Sequence, residues 1–354
     1  LVGECLLTEP KVRSSVSIVG RFYSRKEKHM TATISAKDVS ELRKITGAGM
    51  MDCKEALQES GGDFDAAIEI LRKKGQKVAA KRADRNTTEG VVVTVVNAPA
   101  TEAIILGIGC ETDFVAKNEL FIDFVNRVAA VAMAGKPETR EALLALPMEG
   151  GTVAEKLVEQ TGKTGEKVEV SGYFLVKGEK LASYIHAGSK IGVIVSYKDG
   201  GKADAADFYR KMAMHIAAMN PVGMTPDEFD PAFVETEAES LRSRIITENE
   251  DRARLGKPLK NVPRFASRRQ MTPAVMAQVE AEIKAELAAE GKPEKIWDKI
   301  LPGKLERFIA DNTLLDQERC LLSQFYVLDE TKTVEKAIQE FGGQLIEFKR
   351  VSVS

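Results

Sequence analysis

Glu111-Thr112-Asp113-Phe114-Val115-Ala116-Lys117-Asn118 lies at a break between two pieces of regular structure and sets one bulky aromatic among charged and small residues. Upstream, Ala103 to Cys110 is an apolar run broken by Gly107 and Gly109, the pattern of a short buried strand. Downstream, Leu120, Phe121, Phe124, Val125, Val128 and Ala132 recur at helical spacing. Phe114 falls outside that stripe. An aromatic beside a core ordinarily tucks under the neighbouring turn. The other reading is a side chain held outward as a wedge, and a phenyl ring offers no group for acid, base or nucleophilic chemistry.

With 354 residues, 44% of them hydrophobic, the chain can bury more than one core, and a multidomain organisation is expected. Lys plus Arg (51) and Asp plus Glu (53) nearly cancel, so no global basic field exists to hold a nucleic acid, and a protein is the expected ligand. The four cysteines, Cys5, Cys53, Cys110 and Cys320, lack any close pairing, and His29, His186 and His215 lie far apart. Neither a disulfide framework nor a zinc site follows from such spacing. Charges or glycines interrupt every apolar run before it could cross a bilayer. The composition is that of a soluble, reduced, intracellular protein.

Residues 1–29 differ from the rest, with Arg13, Arg21, Arg25, Lys26, Lys28 and several serines ahead of Met30. An organellar transit peptide is one reading, opposed by Glu4, Glu9 and Glu27. The preferred reading takes Met30 as the start and 1–29 as an extension outside the fold. Bacterial cytoplasm is then the expected location, with an organelle matrix or stroma as the alternative.

Three short helices are expected over 35–76. Ser35 caps the first, whose apolar face is Val39, Leu42 and Ile45, before Gly47 and Gly49 close it. Asp52 and Glu55 have the spacing of a capping-box variant for the second, ended by Ser60-Gly61-Gly62. Asp63 caps the third, which carries Phe64, Ala67, Ile68 and Leu71 and stops before Gly75. Residues 77–88 read as a linker. From Glu89 two similar blocks follow: strands at Gly90–Val96 and Ala103–Ile108 before a helix over Phe121–Ala134, then strands at Gly172–Val176, Leu181–His186 and Ile191–Val195 before a helix over Tyr209–Met219. The parallel is an internal repeat of an α+β unit.

Thr161-Gly162-Lys163-Thr164 lacks the upstream glycine of a phosphate loop, which would stand at Leu157, and is set aside. Between 233 and 312 one stripe of Phe233, Leu241 and Ile245 and another of Met276, Val279, Ile283 and Leu287 predict two long antiparallel helices. Gly256-Lys257-Pro258 and Gly291-Lys292-Pro293 interrupt this stretch. Its Lys257, Lys260, Arg264, Arg268 and Arg269 suit a solvated charged surface better than a contact with RNA or an acidic partner.

Three motifs, in order and at approximate spacing, now come together: Leu42-Arg43 followed by Thr46-Gly47-Ala48-Gly49-Met50-Met51, Glu111 to Asn118, and Met212-Ala213-Met214-His215-Ile216-Ala217-Ala218-Met219-Asn220-Pro221. Together they resemble the translation elongation factor Ts family from about Ser35 to nearly the end of the chain. The resemblance implies an α+β fold with an N-terminal three-helix, ubiquitin-associated-like domain (35–76) and a core of two repeated α+β subdomains. The first would span 89–165 and the second 166–232 with 313–354, interrupted by an inserted helical hairpin at 233–312.

The family function so implied is guanine nucleotide exchange, without covalent chemistry and without a cofactor. The implied partner is elongation factor Tu, in its GDP-bound and nucleotide-free forms, with no direct nucleic acid and no membrane. The hairpin is an expected surface for dimerisation. Thr112, Asp113, Phe114 and Val115 match the family's nucleotide-release wedge, with Phe114 inserting near the partner's magnesium and phosphate site. Leu42, Met50 and Met51 match its N-terminal contact, and His215 and Met219 lie in a motif that braces the partner elsewhere. Asn118 stands where many relatives carry aspartate. Two rival readings stay open: a binding adaptor that uses only the three-helix domain, and an enzyme whose titratable groups converge only in three dimensions.

Overall fold

The computed structural model describes residues 34–353 apart from Ala187, so the reading of 1–29 lies outside the described residues. Two compact units divide at Ile70/Leu71.

In the first unit, Ser35 and Asp38 close a capping box at the start of α1 (Ala36–Thr46), with the Ser35 hydroxyl accepting from the Asp38 N–H at 3.1 Å. Gly47 ends α1 in the left-handed region at φ 69°. Val39 and Leu42 are buried, but Ile45, expected beside them, is exposed. Helix α2 (Met50–Glu59) starts directly after Gly49, so Asp52 sits within its first turn and is not its cap. Cys53, Ala56 and Leu57 point inward. Asp63 caps α3, accepting from the Ala66 N–H at 2.9 Å.

Helix α3 (Phe64–Lys81) does not stop before Gly75, and it takes in the first five residues of the expected linker. The reason is a close crossing. A Cβ on Gly162 would stand 2.8 Å from the Gly75 Cα, so two glycines let helix backbones meet there.

In the second unit, β1 (Glu89–Val96) and β2 (Glu102–Cys110) form an antiparallel hairpin. A one-turn helix α4 (Asp113–Ala116) leads into α5 (Glu119–Gly135). Helix α6 (Arg140–Ala145), a two-residue ribbon of β3 (Pro147–Met148) with β4 (Gly151–Thr152), and α7 (Val153–Thr164) follow. Strand β5 (Glu169–Lys177) then pairs antiparallel with β2, giving the order β1-β2-β5. This overturns the expected subdomain boundary at 165/166, because β5 completes the first sheet and does not open the second. Thr161–Thr164 forms the last turn of α7, whereas a phosphate loop precedes its helix.

The second sheet repeats the plan. Hairpin β6 (Lys180–Ile185) and β7 (Ile191–Lys198) is followed by α8 (Ala205–Met219), which ends at Asn220 in the left-handed region before Pro221. The chain then runs through α9 (Pro231–Arg254), α10 (Pro273–Ala289), α11 (Trp297–Asp311) and α12 (Leu314–Arg319). A small hairpin of β8 (Phe325–Tyr326) and β9 (Asp329–Thr333) precedes α13 (Val334–Phe341). Last, β10 (Gln344–Ser352) returns antiparallel to β7, so the order β10-β7-β6 matches that of the first sheet. The α+β repeat is therefore real, with each copy a hairpin, helical matter and a returning strand.

Strand β2 is buried on both faces, which accounts for its uninterrupted apolar run. Ile104, Leu106 and Ile108 meet Phe121, Phe124, Val125 and Val128 of α5. Ala103 and Ile105 face the other way and join Ile194 and Val351 of the second sheet. Gly107 lies on this inter-sheet side, where a Cβ would stand 2.8 Å from Val351 Cγ1.

The inserted region departs from expectation. The Val234, Ala238, Leu241 and Ile245 stripe of α9 packs on Ala266, Leu315 and Cys320 and does not pair with α10. The antiparallel partner of α10 is α11, whose Trp297, Ile300, Leu301, Leu305 and Phe308 cover Val279, Ile283 and Leu287. Residues 258–264 run back along α9, tied by Asn249 to both the N–H and the carbonyl of Lys260 at 2.7 and 2.8 Å. Lys260 pairs with Glu248 at 2.7 Å and Arg264 with Glu282 at 2.8 Å, so part of the basic character of the insertion is neutralised within the molecule.

Candidate functional site

Phe114 is 84% exposed. Leaving a phenylalanine in water instead of in a core forgoes roughly 2 kcal/mol of burial, so the turn beneath it must be held by other means. Helix α4 is too short to be stable alone. Thr112 caps it with extended backbone (φ −126°, ψ 154°), and the hydroxyl lies 3.5 Å from the Val115 N–H. Ala116 is buried and Val115 packs against the α5 core, so the inner side of the turn is anchored while Phe114 points away. The ordinary expectation for an aromatic beside a core fails here.

The anchor at the back of the turn is polar. Glu166 accepts from the Thr112 hydroxyl at 2.7 Å, the Thr112 N–H at 3.0 Å and the Glu111 N–H at 3.2 Å. In return, Glu111 accepts from the Lys167 N–H at 2.7 Å and from the Arg82 guanidinium at 2.8 Å. The Lys167 N–H and Arg82 hold the Glu111 carboxyl below the usual carboxylate range, against a smaller opposing effect of burial. Below them, the Cys110 thiol donates to the Thr112 carbonyl at 3.2 Å, and burial, reinforced by the charge of Glu166, pushes its pKa up to about 12. That thiol stays protonated and unreactive.

Asp113 pairs with Lys117 one turn on, at 2.6 Å, and this bond holds its carboxyl below the usual range. Asn118 caps α5 by accepting from the Leu120 N–H at 2.9 Å, a task that an amide performs as well as a carboxylate. Leu120, counted in the apolar stripe, is instead 76% exposed. It was missed because helical spacing alone cannot separate a first-turn residue facing the core from one facing water.

The other expected contact residues divide. Met50 and Met51 are both exposed, as is Ile45 at the other side of the Gly47–Gly49 turn. Leu42 is fully buried in the three-helix core, so it shapes that surface and does not belong to it. His215 is fully buried too. Its Nδ1 accepts from the Val327 N–H at 3.2 Å and its Nε2 lies 3.0 Å from Gln324 Oε1, an arrangement that puts the proton on Nε2. Met219 is partly exposed beside an open groove of about 590 Å³, whose walls include Phe174, Val222 and Ile346.

Among the described residues, no group of three or more His, Cys, Asp and Glu is placed to hold a metal. Cys53, Cys110 and Cys320 are free and buried. No helix among the described residues is long and apolar enough to cross a membrane.

The family model described as Elongation factor TS matches residues 111–354 and so begins at the first residue of the clamped turn. The chain belongs to the elongation factor Ts family. The elongation factor Ts of Rhodopirellula baltica is 63% identical over 91% of this chain and 99% of its own length. That of Flavobacterium johnsoniae is 48% identical over 91% and 99%, and that of Streptococcus gordonii 45% identical over 91% and 92%. Membership of the elongation factor Ts family sets the chain among the factors of translation elongation in protein biosynthesis.

Proposed function

We propose that this chain is the guanine nucleotide exchange factor of elongation factor Tu. It binds the GDP-bound partner, inserts Phe114 near the magnesium and phosphate site, and so frees GDP for replacement by GTP. The observation that carries the reading is the 84% exposure of Phe114 on a turn secured from behind.

GDP held through phosphates and a magnesium ion is bound mainly by electrostatics, which small displacements weaken sharply. A rigid apolar side chain driven between supporting helices supplies that displacement. Asp113, a carboxylate at the same tip, adds repulsion toward phosphate oxygens. Thr112 and Val115 hold the turn. Met50 and Met51, together with Ile45, form a flexible apolar contact on the N-terminal unit, and Met219 braces the partner elsewhere while His215 shapes that region from within. No bond is made or broken by this chain. By linkage, if it weakens GDP binding, GDP weakens its own binding by the same factor, so it alters rates while the cellular excess of GTP gives direction. The bacterial relatives support a location in bacterial cytoplasm.

Stopped-flow release of a fluorescent GDP from elongation factor Tu tests the proposal. Acceleration by the chain, impaired in Phe114→Ala, is expected. An equal rate with and without the chain would rule the reading out.

A further inference from the structure

We propose that Glu166 is a positioning residue for nucleotide release: its carboxylate fixes the direction in which Phe114 leaves the surface, and it does so without touching the partner. The inference rests on the exchange-factor reading. Glu166 lies directly after α7, past the Gly165 cap at φ 70°, and reaches the turn across more than fifty residues of sequence. One carboxylate there gathers the Glu111 N–H and both the N–H and the hydroxyl of Thr112, the cap of α4.

Those donors define Phe114. The N–H groups at the start of a helix have no partner within it, and a helix of four residues has few other bonds to fix its axis. Thr112 in turn caps the same helix with the hydroxyl that Glu166 receives. Glu166 therefore sets the backbone of Glu111 and Thr112, the cap sets Val115, and Phe114 lies between them. The contact is reciprocated, because the neighbour of each glutamate gives its N–H to the other: Lys167 to Glu111 and Thr112 to Glu166. A paired exchange of this kind resists rotation about a single bond, as one hydrogen bond would not. A wedge whose exposed ring makes no core contact of its own needs such a stop, since insertion at a fixed angle requires stiffness at its base.

Glu166→Ala should remove all three acceptor contacts and leave Phe114 chemically intact. In the free protein, amide hydrogen exchange at Glu111, Thr112 and Val115 is expected to quicken about tenfold or more, consistent with charged hydrogen bonds lost from a local opening. In stopped-flow release of fluorescent GDP from elongation factor Tu, the rate at saturating chain should drop about tenfold while the concentration for half-saturation changes little, because the loss lies in the displaced state and not in docking. Glu166→Gln, which keeps an oxygen for the N–H groups, should recover most of that rate. The double variant Glu166→Ala/Phe114→Ala should be no slower than Phe114→Ala alone, since Glu166 acts through the ring.

If the unmodified chain accelerates release and Phe114→Ala does not, but Glu166→Ala behaves as wild type or multiplies the Phe114→Ala defect, the positioning role is overturned and the exchange function stands. If the unmodified chain fails to accelerate release, both fall. Should Glu166→Ala fold poorly, Glu166→Gln and the double variant built on it carry the same comparison.

Discussion

His215 and Gln324 face each other across 3.0 Å in a fully buried pair, although 109 residues separate them in sequence. Gln324 uses its amide nitrogen on the carbonyls of Glu318 at 2.8 Å and Met219 at 3.3 Å, so its oxygen is left to the imidazole. The Val327 N–H fills the other ring nitrogen. The ring is satisfied only when neutral, and burial lowers its pKa from 6.5 against a smaller opposing effect of Gln324.

The sign of the pH dependence follows. Below the ordinary imidazole value the unfolded chain takes up a proton that the folded chain refuses, so stability is fully present above that value and lost as pH falls through it. Urea unfolding at a series of pH values from 8 to 5.5 should show falling stability below about pH 6.5, with a shallower slope in His215→Gln. An identical slope in the variant would show that His215 is not the group responsible.

Phe114→Ala should change the free energy of unfolding by less than about 0.5 kcal/mol, because the ring makes little core contact. The same variant should slow GDP release strongly. Leu120→Ser is expected to be equally neutral for folding, and a rate defect in it would extend the contact beyond the ring. Thermal melting beside the release assay separates the two effects.

Gly107→Ala would place a Cβ 2.6 Å from Ser171 Oγ and 2.8 Å from Val351 Cγ1. Ser171 can rotate, but Val351 is held between the sheets, so a loss of about 1–3 kcal/mol is expected from overpacking. Chemical denaturation reads it directly, and an unchanged midpoint would mean that the sheets can part without cost.

In the N-terminal unit, Leu42→Ala should cost about 2–4 kcal/mol by emptying a core position, whereas Met51→Ala and Ile45→Ala should leave melting unchanged. For binding to elongation factor Tu the order should reverse once folding is controlled for. Isothermal titration at a temperature where all three variants are folded would decide it, and a larger intrinsic binding loss for Leu42→Ala would return that residue to the contact surface.

Much of the scaffold was legible because its signals are local. The Ser35 cap, the Gly47 stop, the helical stripe of α5 and the end of α8 at Asn220 depend on residues a few positions apart. The repeat was legible too, yet β5 was given to the wrong sheet, because nearness in sequence to β6 says nothing about which edge a strand completes. The stripes of α9 and α10 were paired with each other for a similar reason, since two amphipathic faces do not name their partners. At the tip, the absence of Phe114 from the stripe left both a tucked and an outward ring open, and the three motifs together pointed to the outward one. The Glu166 clamp could not be read, because a lone glutamate after a helix-ending glycine carries no local sign of a donor set more than fifty positions away. Burial of His215 was hidden by the motif that contains it, whereas the place of Leu42 on the apolar face of α1 already pointed inward, against its assignment to the contact.

The two sheets share one strand order but not one span of chain. In the first, the closing strand returns after α4 to α7, whereas in the second it returns only after α8 to α13. Closing the longer loop costs more entropy and delays the rewarding contact. The half that carries the aromatic tip is thus set to assemble earlier during folding, and the late arrival of β10 supplies Val351, which lies against the strand leading to that tip. Maturation would then proceed from the working end toward its support.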